Sequence, residues 1–290
     1  MDFGRLLTAM VTPFDQNNQL DLKKTTEIIE HLLENGTDGL IVCGTTGESP
    51  TLSHKEKLTL FEHVVKVVNG RIPIIAGTGN NNTKASIELT KEVEQIGVDA
   101  FLLVSPYYNK PSQEGLYHHF AAIAKETPLP IMLYNIPSRS VVNLNADTII
   151  ALSQIDNIVS VKDSSGDLDA IVAVLEHASE GFTVYSGDDS MTLPILSIGG
   201  AGVVSVSSHI IGTQMKQMIS LYESGKVKKA ADLHRELLPV MKALFMAPSP
   251  SPVKAALAKN GIDVGSVRLP LVPLSALEEQ TLFRVLESIQ

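Results

Sequence analysis

Eight short apolar runs alternate with longer amphipathic stretches, and this alternation constrains the fold more than any other feature of the chain. The runs are rich in Val, Ile and Leu and barely alternate in polarity, which is typical of strands buried on both faces of a parallel sheet. Because a helical stretch follows each run, the pattern predicts an α/β fold that closes into a (β/α)8 TIM barrel. The predicted strands are Leu6–Val11, Gly39–Cys43, Ile72–Ala76, Ala100–Val104, Ile131–Tyr134, Ile158–Val161, Thr183–Tyr185 and Gly202–Val206.

A doubly wound open sheet is the alternative fold for such a pattern. It usually carries a glycine fingerprint after its first strand, whereas the first run here leads into Val11-Thr12-Pro13-Phe14. We therefore interpret residues 1–224 as a catalytic barrel and residues 225–290 as a helical extension. The predicted helices within the repeats are Leu22–Glu34, His54–Val68, Thr83–Ile96, Ser112–Lys125, Ala146–Ser153, Leu168–Ala178, Ser190–Ile198 and Ile210–Glu223, and those of the extension are Lys226–Phe245, Pro252–Lys259 and Ala276–Ile289.

Charge and cysteine content exclude several classes of protein. The net charge is -9 without a basic patch, which argues against nucleic acid as a partner. No apolar stretch reaches the roughly 18 residues of a membrane span, and the N-terminal residues do not resemble a signal peptide. Cys43 is the single cysteine, so neither an intrachain disulfide nor a cysteine-based zinc site is expected. These features predict a protein of the reducing cytoplasm.

Lys162 stands at the tip of a buried strand, where barrel enzymes place their catalytic groups. A lysine in that position is costly unless it is paired or used. Desolvation lowers the pKa of a lysine so placed, which leaves part of the amine neutral, as a Schiff-base nucleophile requires. A structural salt bridge, for example with Asp163, is the alternative that the sequence leaves open.

Other strand ends carry polar groups with two interpretations each. Tyr107, Tyr108 and Tyr134 suit general acid–base work, or they are amphipathic residues of the barrel rim. The loop from Gly44 to Ser49 offers amides and hydroxyls for a carboxylate, or it is a tight turn.

Three further features favour structural roles. The segment from Gly77 to Thr83 lacks the lysine of a phosphate-binding loop, so it predicts a turn followed by a helix N-cap. His118 and His119 point in different directions on one helix, which favours a solvated or half-buried face over a metal site. Cys43 lies within an apolar run and is interpreted as a small buried hydrophobe. No metal site is therefore predicted.

Four segments together resemble the pyruvate-dependent class I lyases, the N-acetylneuraminate lyase family. The resemblance covers essentially the whole chain, and the family includes dihydrodipicolinate synthases, N-acetylneuraminate lyases and keto-deoxy sugar-acid aldolases. Segments 106–115 and 134–139 favour the synthase branch, while an aldolase acting on a keto-deoxy sugar acid or sialic acid is the alternative. The four segments are Gly44-Thr45-Thr46-Gly47-Glu48, Tyr134-Asn135-Ile136-Pro137, Val161-Lys162-Asp163-Ser164-Ser165-Gly166 and Pro250-Ser251-Pro252-Val253-Lys254.

The resemblance implies a covalent mechanism without a separate cofactor. Lys162 would form an imine with pyruvate, and the derived enamine would attack L-aspartate 4-semialdehyde to give 4-hydroxy-tetrahydrodipicolinate on the diaminopimelate route to lysine. Tyr134 would shuttle protons. Thr45 and Tyr108 would complete a hydroxyl relay, with Tyr108 contributed by a neighbouring subunit. The assembly implied is a homo-oligomer, with a tetramer built as a dimer of dimers favoured over a dimer.

The resemblance also implies the residues that bind substrate. Thr45 and Thr46 would hold the pyruvate carboxylate, and Arg139 would hold the carboxylate of the semialdehyde. A guanidinium suits this task because it can bind a carboxylate through two parallel hydrogen bonds. Gly187 and Val204 match backbone positions that line the pocket in the family.

Feedback-sensitive relatives bind lysine at a subunit interface, and this chain matches that interface only in part. The glutamate of the interface corresponds to Ala85, and its second histidine corresponds to Lys57. A cationic inhibitor would therefore lose a carboxylate partner and meet a like charge, which predicts weak or absent inhibition by lysine. The positions that do match are Ser49, His54, Asn81 and Tyr107.

Overall fold

Eight parallel strands close into a barrel in the computed structural model, which describes residues 3–287. Each strand pairs with the next along the chain, and the last pairs with the first through Leu7 and Val204. The predicted (β/α)8 barrel is thus confirmed. The strands are β1 Leu6–Ala9, β2 Gly39–Val42, β3 Ile74–Gly77, β4 Ala100–Val104, β5 Ile131–Asn135, β6 Ile158–Asp163, β7 Thr183–Ser186 and β8 Gly202–Ser205.

The barrel has two apolar layers, and this explains why the strands lack an alternation of polarity. In β2, Ile41 faces the barrel interior, while Leu40 and Val42 pack outward against the helices. All four residues of this strand are buried. Both faces of the strand therefore need apolar side chains.

Helices follow the strands and cover the barrel, and several begin at a residue whose side chain caps them. Asp21, Ser53 and Asn82 each accept a hydrogen bond from a backbone N–H of the first helical turn, which stabilises the helix start. The cap at Asn82 confirms the turn and N-cap predicted after β3. The α-helices are α1 Leu22–Glu34, α2 His54–Val68, α3 Thr83–Glu94, α4 Gln113–Ala124, α5 Pro137–Ser140, α6 Ala146–Leu152, α7 Leu168–His177, α8 Thr192–Ser197, α9 Ser208–Glu223, α10 Val227–Ala243, α11 Ser251–Lys259 and α12 Ala276–Glu287.

Several boundaries differ from those predicted. The helix predicted over Ser190–Ile198 is a 3-10 turn, Asp189–Met191, followed by α8, because Asp188 caps the turn by accepting from the backbone N–H of Ser190. The short helix α5 and the 3-10 turn Ser49–Thr51 were not predicted. Each has a proline in its first turn and is too short to show a helical period.

The extension packs on the barrel through its helices. Helix α10 lies against α9, and α11 contacts both α9 and α12. Pro239 lies inside α10 without ending the helix, as predicted. The predicted end of the last helix lies outside the described residues, and the boundary at residue 224 stays an interpretation.

Within residues 3–287, no helix combines the length and the apolar character that a membrane crossing requires.

Candidate active site

Lys162 and Tyr134 face each other at the carboxyl end of the barrel. They are paired in register between β5 and β6, so both side chains point to the same side of the sheet. Tyr134 belongs to the inner apolar cluster, and the Nζ atom of Lys162 lies 4.2 Å from the centre of its ring. Lys162 itself is only 6% exposed. A buried amine is thus held against a phenol inside the barrel.

The next pair along the same strands points outward and does not neutralise this amine. Asn135 donates through Nδ2 to Oδ2 of Asp163 at 2.9 Å, and the backbone N–H of Ser165 donates to Oδ1 of Asp163 at 2.8 Å. Neutral donors therefore satisfy the Asp163 carboxylate. In the part of the chain that the structure describes, Lys162 forms no salt bridge, which argues against the structural alternative for this lysine.

Ser164 and Gly187 form the layer directly above Lys162. Ser164 is the first residue after β6 and follows Lys162 by two positions, and the side chains of both residues lie next to Gly187. A Cβ atom on Gly187 would overlap with Oγ of Ser164 and lie 2.9 Å from Cε of Lys162. Oγ of Ser164 is buried and has no hydrogen-bond partner among residues 3–287. Sequence reasoning missed Ser164, although its spacing from Lys162 was a usable signal.

The loop after β2 is held in a strained shape by hydrogen bonds within the protein. Cys43 and Glu48 adopt left-handed backbone conformations, with φ of 57° and 54°. Such conformations cost about 1–2 kcal/mol per residue for side chains other than glycine. The backbone N–H of Glu48 donates to the carbonyl of Thr45 at 3.0 Å, and the hydroxyl of Thr12 donates to the carbonyl of Gly47 at 2.6 Å. The loop that carries Thr45 and Thr46 is therefore a fixed element.

Cys43 does not compete with Lys162 as a nucleophile. Its side chain is buried, and desolvation raises the pKa of the thiol to about 12. The reactive form of cysteine is the thiolate, which is scarce at neutral pH with such a pKa. The structure thus agrees with the interpretation of Cys43 as a small buried hydrophobe.

A cavity of about 460 Å³ opens at the mouth of the barrel beside these groups. It is large enough for small acids with several carbon atoms. Among the described residues, its lining does not include Lys162, Thr46, Gly187 or Val204. Val204 lies in the inner apolar cluster, and Gly187 lies over Lys162. The polar residues that line the cavity include Thr45, Ser49, Lys57, Tyr107, Tyr134 and Arg139.

Tyr108, another predicted catalytic residue, does not line the cavity. Its side chain is 86% exposed, and its backbone is left-handed with φ of 75°. The backbone N–H of Tyr108 donates to the carbonyl of Ser140 at 3.4 Å. The rim loop therefore presents an aromatic ring away from the protein surface.

Two of the residues predicted at a regulatory interface, Ser49 and Tyr107, line the same cavity. His54 pairs with Glu92 at 2.8 Å, and Nδ2 of Asn81 donates to the carbonyl of Tyr107 at 3.2 Å. Lys57 lines the cavity, and burial lowers the pKa of its ammonium. A partly desolvated cation is thus part of the cavity wall.

The two adjacent histidines lie in different environments. His118 is exposed, whereas Nδ1 of His119 is 2.9 Å from the hydroxyl of Thr83. Burial lowers the pKa of His119 to about 4, so this ring is neutral at pH 7. His119 is thus more deeply buried than the half-buried face that was predicted. Within the described range, no group of three or more His, Cys, Asp or Glu residues is placed to hold a metal ion.

Together the fold and the site define a (β/α)8-barrel enzyme with a buried lysine at the mouth of the barrel. A sequence model of the dihydrodipicolinate synthetase family matches residues 2–289. The chain belongs to this family.

Relatives with high identity cover nearly the whole chain. The 4-hydroxy-tetrahydrodipicolinate synthase of Bacillus subtilis is 60% identical over 283 residues, which span 97% of this chain and 98% of that protein. The solved dihydrodipicolinate synthase of Bacillus anthracis is 56% identical with a TM-score of 0.99, covering 100% of this chain and 99% of that one. The enzyme from Cyanidioschyzon merolae, solved with lysine bound, is 44% identical with a TM-score of 0.97 and coverage of 99% and 98%.

Proposed function

We propose that this protein is a Schiff-base lyase that condenses pyruvate with L-aspartate 4-semialdehyde to 4-hydroxy-tetrahydrodipicolinate. The observation that carries the proposal is Lys162, a buried lysine that contacts the ring of Tyr134 without an acidic partner in residues 3–287. The named relatives are synthases, which favours this reaction over the cleavage of keto-deoxy sugar acids.

The reaction begins with attack of Nζ of Lys162 on the ketone carbon of pyruvate. The carbinolamine loses water to give an imine, and loss of a methyl proton gives an enamine. The enamine carbon forms a bond to the aldehyde carbon of the semialdehyde. The amine of that substrate then displaces Lys162 as the ring closes, which frees the lysine for the next cycle.

The remaining residues are proposed to bind the two acids and to move protons. Thr45 and Thr46 hold the pyruvate carboxylate with loop amides, since aligned donors in a fixed loop favour an anion. Tyr134 transfers protons at the imine and at the new alcohol, because a phenol can both donate and accept. Thr45 and a Tyr108 from a second copy of the chain extend the relay to solvent. Gly187 and Val204 shape the wall around Lys162.

Reduction with borohydride in the presence of pyruvate tests the proposal directly. An imine on Lys162 is converted to a stable secondary amine, and peptide mass mapping then locates the added mass. We expect labelling of the peptide that contains Lys162, and only when pyruvate is present. Absence of label on that peptide would refute the proposed chemistry.

Arg139→Ala is expected to weaken use of the semialdehyde without affecting the imine. Arg139 is exposed on α5 and lines the cavity, so its loss leaves the barrel interior intact. A charge-assisted hydrogen bond contributes about 1.5–3 kcal/mol, so we expect kcat/KM for the semialdehyde to fall by roughly 10- to 150-fold. Steady-state kinetics measure this effect, and borohydride labelling with pyruvate alone should be unchanged.

Arg235→Ala serves as the matched control for this experiment. Arg235 is an exposed arginine on α10 that pairs with Asp232, and its replacement should change neither measurement. Equal turnover of the Arg139 variant and the unmodified protein would show that Arg139 does not hold the semialdehyde.

Lysine is expected to inhibit the enzyme weakly or not at all. The interface position that carries a glutamate in sensitive relatives is Ala85, and Lys57 adds a cation to the same opening. Titration of the condensation reaction with L-lysine measures the effect. The double substitution Ala85→Glu and Lys57→His is expected to increase the sensitivity, because it restores a carboxylate and removes the like charge. Potent inhibition of the unmodified enzyme would contradict the prediction.

The exposed ring of Tyr108 supports a homo-oligomer in which two copies exchange this residue. A tetramer formed as a dimer of dimers is the assembly we propose. The cytoplasmic location and the absence of a metal cofactor stay predictions.

A further inference from the structure

Glu48 links the loop that carries Thr45 and Thr46 to the C-terminal extension. Its side chain is 0% exposed, and that of Lys254 on α11 is 3% exposed. Nζ of Lys254 lies 2.7 Å from Oε1 of Glu48, as an ion pair rather than an aligned hydrogen bond. A charged pair is thus buried between the loop that carries Thr45 and Thr46 and a helix that lies outside the barrel.

The second oxygen of Glu48 contacts another part of the extension. Oε2 accepts a hydrogen bond of 2.9 Å from the backbone N–H of Arg268. Lys254 in turn donates to the carbonyl of Ser266 at 2.8 Å. One carboxylate therefore fixes both α11 and the segment after it, and neither contact involves solvent-exposed atoms of Glu48.

The same part of the extension packs against the segment that follows β1. Nζ of Lys254 lies 4.4 Å from the ring centre of Phe14, and Cζ of Arg268 lies 4.2 Å from it. The backbone N–H of Phe14 donates to the carbonyl of Val264 at 3.0 Å. Two residues earlier, Thr12 holds the carbonyl of Gly47. The extension therefore contacts the loop that carries Thr45 and Thr46 directly through Glu48. It also supports that loop indirectly, through the segment after β1.

Glu48 needs such support because its backbone is left-handed, with φ of 54°. A residue with a Cβ keeps this conformation only where surrounding contacts impose it. The side-chain contacts of Glu48 come from the extension, and the carbonyl of Gly47 is held by Thr12. Thr45 and Thr46 lie in the turn that these contacts close, so their position depends on the pair.

We infer that Glu48 and Lys254 are positioning residues that hold the hydroxyls of Thr45 and Thr46 where they bind the carboxylate of the keto acid. This inference rests on the proposed function. It makes the extension part of the catalytic apparatus, although residues 225–287 form no hydrogen bond or ion pair with Lys162.

Comparison of pyruvate with its methyl ester tests the inference. Both compounds offer a ketone to Lys162, but only pyruvate carries a carboxylate. The ratio of the borohydride labelling rates at Lys162 for the two compounds therefore reports carboxylate binding alone. For Lys254→Met we expect this ratio to fall about tenfold or more, as for the loss of a charge-assisted contact. Labelling by the ester is expected to persist. Lys254→Arg, which keeps the charge, should recover most of the ratio.

Lys259→Met is the matched control. Lys259 lies on the same helix, pairs with Glu287 at 3.3 Å and lies 5.1 Å from the ring centre of Phe283, and within residues 3–287 it forms no hydrogen bond or ion pair with the loop that carries Thr45 and Thr46. We expect the ratio of labelling rates for the Lys259 variant to equal that of the unmodified protein. Glu48→Asp, which keeps the charge but shortens the side chain, should lower the ratio and serves where Lys254→Met does not fold.

Two results would overturn the inference. One is an unchanged ratio in folded variants of Glu48 and Lys254, and the other is an equal loss of labelling by both compounds, which indicates a purely structural role. Labelling of the unmodified protein by pyruvate is measured in the same series. Its absence refutes the proposed function, a different outcome from a change in the ratio.

Discussion

Lys162→Met is expected to abolish covalent labelling by pyruvate and borohydride and to reduce kcat by at least about a thousandfold, since loss of a nucleophile removes the covalent route. The methionine fills a similar volume inside the barrel but cannot form an imine. The fold should persist, because Lys162 forms no salt bridge within residues 3–287 whose partner would be left unpaired. Mass spectrometry of the reduced protein and steady-state kinetics measure the two effects.

Lys57→Met provides the control for this experiment. Lys57 is a lysine that lines the cavity at the barrel mouth. Its replacement should leave the label on the peptide that contains residue 162. Pyruvate-dependent labelling of the Lys162 variant at another lysine would contradict the assignment of the nucleophile.

Gly187→Ala is expected to destabilise the fold by about 1–3 kcal/mol, as overpacking of a well-packed core does, and to remove most of the activity. The added Cβ would overlap with Oγ of Ser164 and lie 2.9 Å from Cε of Lys162. Relief of that overlap must displace the nucleophile or the hydroxyl above it. Urea denaturation gives the change in the free energy of unfolding, and the rate of borohydride labelling gives the effect on Lys162.

Gly115→Ala is a suitable reference for the glycine at position 187. Gly115 lies in the first turn of α4, and its added Cβ would be 3.3 Å from a side-chain atom of Pro111. A helical Gly→Ala change is close to neutral or stabilising. If the Gly187 variant labelled as fast as this reference, the steric argument for Gly187 would fail.

The barrel was predictable because buried strands and helices have characteristic patterns of apolar residues in the local sequence. Strands such as β2 are apolar on both faces, and helices such as α1 and α2 begin after capping residues that sequence reveals. The predicted bounds of these two helices agree with the structure at both ends. The end of β1 was placed too late, because the N–H of Val11 donates to Nε2 of His209 rather than to a neighbouring strand. No local pattern encodes that distant partner.

Site residues were predictable only where their position in a strand is enough to place their side chains in the site. Lys162 and Tyr134 lie at strand ends, so their meeting follows from the register of β5 and β6. The contacts of Glu48 did not follow, since Arg268 is 220 residues further along the chain. Ser164 was missed because a serine two residues before Gly166 resembles part of a turn. Tyr108 is exposed in a single copy, so the catalytic role proposed for it depends on contacts between subunits, which one sequence does not describe.

The contacts of Glu48 also set an order of events during synthesis of the protein. Strand β8 ends at Ser205, so all eight strands can associate while the chain is still growing. Lys254 and Arg268 are translated later, and the loop after β2 cannot acquire its final support before then. A nascent chain would thus pass through a stage with a closed barrel and a loop after β2 that still lacks its contacts with the extension.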